Sequence, residues 1–136
     1  MSTIFSKIIA GELPSFKVYE DEKVFAFLDI NPIQPGHTLV VPKTPSEDAL
    51  STNPEDLAHI MVVGQRLAKV IMETTECDGI NFLINNGKAA GQVVFHTHLH
   101  IIPRFDNDGV YEEPMPGEYE NGEAESLAVT IASAIA

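Results

Sequence analysis

Cysteine, positive charge and long apolar runs are all scarce in this sequence, and each shortage removes a class of protein. Cys77 stands alone, so no disulfide can form within the chain, and a lone thiol fits a reducing, cytoplasmic setting. No run approaches the roughly 18 apolar residues that a membrane helix needs. The opening "MSTIFSKIIAGELP" lacks the basic stretch and apolar core of a signal peptide, so none is expected. Lys and Arg number 8 against 20 Asp and Glu, for a net charge of −12. That balance excludes a broad contact with nucleic-acid polymers or a membrane surface, whose phosphates draw basic side chains. A small phosphate ligand stays possible, because a few local groups override the mean field. After Arg104 there is no basic residue at all, while Asp106, Asp108, Glu112, Glu113, Glu118, Glu120, Glu123 and Glu125 follow. This stretch reads as a solvated acidic extension from about residue 105, attached to a single domain over residues 1–136.

What is present has a readable order. Ile4, Phe5, Ile8 and Ile9 recur at helical spacing, and Gly11 can end that short helix. "FKVYEDEKVFAFLDI" reads as two strands around a polar turn, the second apolar on both faces and therefore interior. "HTLVVPK" is a third strand, closed by Pro42. Asn53 suits an N-cap and Pro54 the first helical position. Glu55 and Asp56 suit the positive end of the helix dipole. The helix they open runs to about residue 76, with Leu57, Ile60, Met61, Gly64, Leu67, Ala68 and Ile71 on its apolar face. His59 falls off that face and reads as a surface residue. "INFLIN" and "VVFHTHLHII" are two further strands around the turn "NGKAAGQ", and "AESLAVTIASAIA" predicts a C-terminal helix. Strand pairs with helices gathered elsewhere predict an α+β fold on an antiparallel sheet.

The segment "VVFHTHLHIIPR" places His96, His98 and His100 at every second position. On a strand they would share one face, leaving Phe95, Thr97, Leu99 and Ile101 for the core. Three uses suit such a row. A structural row would satisfy its rings by hydrogen bonds. A metal clip would need a further ligand such as His37 or Asp29, since no cysteine lies near and no HExxH helix exists. A reaction centre would use a neutral imidazole as nucleophile toward phosphorus, with its neighbours donating to the phosphoryl oxygens. The flanks favour a phosphate: Gly87 and Gly91 can bring backbone N–H groups close, and Asn85 and Gln92 can donate amide hydrogens. Asp29 can accept from ribose hydroxyls or cap the "NPIQPG" turn, and Arg104 can meet an anion.

On these residues the chain resembles the histidine triad (HIT) family of nucleotide-binding hydrolases. Its pattern of three histidines spaced by apolar residues appears here as His96-Thr-His98-Leu-His100-Ile-Ile. "IFSKIIAGELP", "VYEDEKVFAFLDINPIQPGHTLVVPK" and "NNGKAAGQVVFHTHLHIIPR" resemble family segments in the same order, covering residues 4–104. The resemblance implies a HIT-like fold of about five strands with one long and several shorter helices. It also implies a homodimer whose sheets join, with a purine-nucleotide site in each subunit. His98 would attack the α-phosphorus and form a nucleotidyl-histidine that water hydrolyses, with His96, His100 and His37 around it. Asp29 and Ile30 would hold the ribose, Ile4, Phe5 and Ile8 the base, and Asn85, Gly91, Gln92 and Val93 the phosphate side.

Two departures matter. Val93 stands where some members carry a serine that touches the leaving group, and Thr3 and Ser6 stand where some carry a zinc-binding cysteine pair. No metal and no other cofactor is therefore expected. The expected substrates are nucleoside 5′-phosphoramidates such as AMP-amine conjugates. Alternatives are dinucleoside polyphosphates and a binding module with negligible turnover; the two substrate classes differ in the room and charge needed beyond the α-phosphate, and Lys88 and the acidic tail could each bias that choice.

Overall fold

The computed structural model describes residues 2–111 and 114–135. Helix α1 (Ile4–Ile9) leads into strands β1 (Lys17–Glu20), β2 (Val24–Leu28) and β3 (Thr38–Pro42). Helix α2 (Pro54–Thr75), strand β4 (Gly79–Leu83), one 3-10 turn (Lys88–Ala90), strand β5 (Leu99–Arg104) and helix α3 (Glu123–Ile135) follow. All neighbouring strands are antiparallel, in the order β1-β2-β3-β5-β4. β2 and β3 are thus interior, which is why both of their faces are apolar.

One sheet face packs on α2. Val24, Ala26, Val40, Leu99 and Ile101 meet Ile60, Val63 and Ala68 there. Gly64 lets helix and sheet come close: a Cβ at this position would lie 2.6 Å from Leu99 Cδ2. The opposite face carries Phe25, Phe27, Leu39 and Val41 under Phe5 of α1. Each such side chain contributes about 1.5–3 kcal/mol when fully buried. α2 starts as expected: the Asn53 side chain accepts the Glu55 N–H, Pro54 follows, and Glu76 ends the helix in a left-handed conformation. Its buried face includes Val63, whereas Met61 is 42% exposed, so the stripe lies slightly rotated from the one read in sequence.

Three expectations fail locally. Strand β5 begins only at Leu99, so His96 and His98 lie in an irregular segment before it. The Thr97 N–H bonds to the Ser46 carbonyl, in the β3–α2 connection, instead of joining a ladder. Phe95 is exposed, not core. The acidic extension is not all solvated either: Asp108 is almost enclosed and pairs with Arg104. The C-terminal helix forms, but none of its described residues is buried, Leu127, Val129, Ile131 and Ile135 included.

Candidate functional site

Antiparallel register places the chemistry on the α1 side of the sheet. Phe27 pairs with Leu39, and Leu39 with His100, so these three share one face. Above them lies a cavity of about 620 Å³. Ile4, Phe5, Ile8, Asp29, Ile30, Asn85, Gly91, Val93, His98 and His100 line it, all singled out from sequence. Leu13, Pro14, Ser15, Phe27, Leu28, Asn31, Leu39 and Val94 also line it and were not foreseen. A larger hollow of about 790 Å³ follows the open β4 edge, but it holds no histidine.

The rings adjoin one another even without a common strand. Ring centroids lie 4.9 Å apart for Phe5 and His98, 4.7 Å for His98 and His100, and 5.2 Å for His37 and His100. Hydrogen bonds assign the tautomers. His98 Nδ1–H donates to the His96 carbonyl at 2.7 Å, which leaves Nε2 with its lone pair. His37 Nδ1 accepts the Ile33 N–H at 3.1 Å, so His37 Nε2–H donates to His100 Nδ1 at 2.9 Å. The proton of His100 is then on Nε2, a buried atom with no partner among the described residues. An unpaired buried donor costs about 1–3 kcal/mol, and such a group marks a place for a ligand acceptor.

His96 lies behind the site. Its Nε2–H donates to the Pro42 carbonyl at 2.9 Å, and its Nδ1 accepts from the Thr3 hydroxyl at 3.2 Å. Thr3 also caps α1 through the Ser6 N–H, and the Thr3 and Ser6 hydroxyls are 3.2 Å apart. His37 and His96 therefore support the site without lining it. Burial lowers the pKa of His37, His96, His98 and His100, taking His100 to about 4. Burial thus favours the uncharged form of all four rings, the form that a nucleophilic His98 requires.

Other expected residues divide. Gln92 is buried as a staple: its amide donates to the Glu47 and Val94 carbonyls and its oxygen accepts the Gly87 N–H. It is not free to meet a phosphate. Asn85 reaches the Gly91 carbonyl at 3.5 Å and stays at the cavity wall. Arg104 is occupied by Asp108 and Asn81 and lies over the Tyr111 ring. Asp29 accepts the Asn31 N–H at 2.9 Å, capping its turn, while its other oxygen lies 3.8 Å from His37 Nε2. Asp29, His37 and His100 have ligating atoms within 4.8 Å of one another. A cation there would have to displace the proton that His37 now shares with His100. His59 bonds to Asp21 at the β1–β2 turn, away from this cavity's lining.

Comparison with known proteins agrees with this geometry. The family model "HIT domain" matches residues 10–107, which include every histidine of the cluster. The chain belongs to the HIT family. The HIT protein named "Protein hit" from Bacillus subtilis is 43% identical over 136 residues, spanning 98% of this chain and 94% of its own. A crystal structure of a B. subtilis HIT family member superimposes with a TM-score of 0.91 at 40% identity, covering 100% of this chain and 99% of that one. Adenylylsulfatase HINT3 of Arabidopsis thaliana is 44% identical over 105 residues, 77% of this chain and 53% of that protein.

Proposed function

We propose that this HIT protein is a purine-nucleotide hydrolase that cleaves nucleoside 5′-phosphoramidates through a covalent His98 intermediate. One observation carries the reading: the Nδ1 proton of His98 is spent on the His96 carbonyl, so Nε2 is an unprotonated nucleophile beside a cavity. Nε2 attacks the α-phosphorus, the P–N bond to the amine breaks, and the leaving nitrogen keeps the electron pair and takes a proton from solvent in the cavity, departing as the neutral amine. Water then cleaves the P–N bond to His98, releasing AMP and restoring the imidazole. His100 Nε2–H, which has no partner among the described residues, would donate to a phosphoryl oxygen. His37 holds His100 in the donor tautomer, and His96 supplies the carbonyl that orients His98. Ile4, Phe5 and Ile8 line the cavity and would take the base, Asp29 would accept from the ribose hydroxyls, and Asn85, Gly91 and Val93 would face the phosphate side. Val93 is 85% exposed and offers the leaving group no hydroxyl.

The chain is also proposed to act as a homodimer in the cytoplasm. Among the described residues β4 has a strand partner on one side only, and an open edge is a template for a second copy. The 13-residue α3 buries nothing in its own subunit, and helices of that length are marginal in water without cover.

The test is labelling with radioactive AMP-amine substrate. His98→Ala should abolish covalent AMP while AMP binding stays within about tenfold, or ~1.4 kcal/mol. Undiminished turnover in that variant would falsify the mechanism. A kcat/KM comparison of an AMP-amine, diadenosine tetraphosphate and adenylyl sulfate then orders the substrate classes. Sedimentation at micromolar concentration checks the dimer.

A further inference from the structure

We propose that Ser46, Thr52 and Thr97 form a hydroxyl clamp that sets the tautomer of His98. The inference rests on His98 as nucleophile only for its effect on rate; the tautomer can be read independently.

The three side-chain oxygens form a closed triangle. Ser46 Oγ lies 2.8 Å from Thr52 Oγ1 and 2.9 Å from Thr97 Oγ1, and the two threonine oxygens are 2.8 Å apart. Thr52 also donates to the Asp48 carbonyl at 2.7 Å. Thr52 and Thr97 are buried. The Thr52 proton goes to the Asp48 carbonyl, so the Ser46 and Thr97 protons serve the contacts within the triangle; clustered hydroxyls in an interior are costly unless bonded, and these bonds tie the three side chains together.

What they hold is one peptide plane. The N–H of Thr97 donates to the Ser46 carbonyl at 2.8 Å. The carbonyl of the same peptide, that of His96, accepts the Nδ1–H of His98 at 2.7 Å. A peptide group is planar, with N–H and C=O pointing in opposite directions. Anchoring its N–H on Ser46 therefore aims its carbonyl at the His98 ring. The triangle fixes Ser46 and Thr97 on either side of that anchor. The clamp thus keeps His98 protonated on Nδ1, the form that free histidine side chains disfavour, and leaves Nε2 open to the cavity. Ser46, Thr52 and Thr97 are positioning residues: none of them lines the cavity.

The experiment uses the full-length protein with 15N-labelled histidine and long-range proton–nitrogen spectra near neutral pH, which report the tautomer of each ring. Wild type should show His98 as the Nδ1–H form. Thr97→Val, nearly isosteric but without the hydroxyl, should move His98 detectably toward the Nε2–H form. It should lower kcat at least about tenfold on the AMP-amine while KM stays within about threefold. Thr97→Ser should restore both. Ser46→Ala, at a half-buried site, repeats the test should Thr97→Val fail to fold. A His98 tautomer unchanged from wild type in either folded variant overturns the proposal, whatever happens to the rate. If wild type hydrolyses none of the substrates, the catalytic reading fails while the tautomer comparison still decides the clamp.

Discussion

Lowering the pH should destabilise this protein well before its carboxylates protonate. Burial disfavours the charged form of all four clustered histidines. In the unfolded chain each regains an ordinary value near 6.5. Protonation below that value therefore favours the unfolded state, and the stabilisation present above it fades as the pH falls toward the folded-state value. For His100 the window runs from 6.5 down to about 4. Over that window, His100 alone withdraws about 2 kcal/mol on going from about pH 7.5 to about pH 5. The other three add in the same direction. Against a typical total of roughly 5–15 kcal/mol, the loss is large. Asp21 and Asp108 do not confuse the reading. Burial opposes ionisation of Asp21, but hydrogen bonds from His59 and the Lys23 and Val24 N–H groups outweigh it. Hydrogen bonding to Arg104 holds the Asp108 carboxyl well below the usual range. Urea unfolding at the two pH values measures the effect, and His100→Gln should remove about 2 kcal/mol of the pH dependence even if it is less stable at pH 7.5. Equal stability at pH 7.5 and pH 5 in the wild type would refute the buried neutral cluster.

Gly64→Ala gains about 1 kcal/mol of helix propensity, but its Cβ meets Leu99 Cδ2 at 2.6 Å. Overpacking of about 1–3 kcal/mol should win, lowering Tm by several degrees, and a raised Tm would show that α2 and β5 are not so close. Thr3→Val removes both the α1 cap and the donor to His96 Nδ1. It should cost about 1–3 kcal/mol by chemical denaturation, and a loss below about 0.5 kcal/mol would sink the assigned His96 tautomer.

Periodicity and end signals carried much of the fold. The two apolar faces of Val24–Leu28 meant an interior strand, and Asn53-Pro54 marked the start of α2. They failed where a partner distant in sequence decides. "VVFHTHLHII" alternates like a strand, yet its first half is captured by Ser46, some 50 residues earlier, and the ladder starts later. Gln92 looked like a ligand donor until the Glu47 carbonyl claimed its amide. Arg104 looked free until Asp108, four residues on, folded back against it. At the site, the triad spacing singled out His98 and His100, which line the cavity with Gly91, while His96 and Gly87 lie outside its lining. The tautomers depend on carbonyl directions, which no spacing encodes. Phe27 and Leu39 were missed as cavity walls because their facing follows from strand register.

Because β5 begins one residue after His98, the ring proposed to react stands just outside the cross-strand lattice. Changes in the 43–53 connection can re-aim it without shifting any strand against its neighbour. Descendants of this chain could thus retune reactivity through a surface loop while inheriting the sheet unaltered.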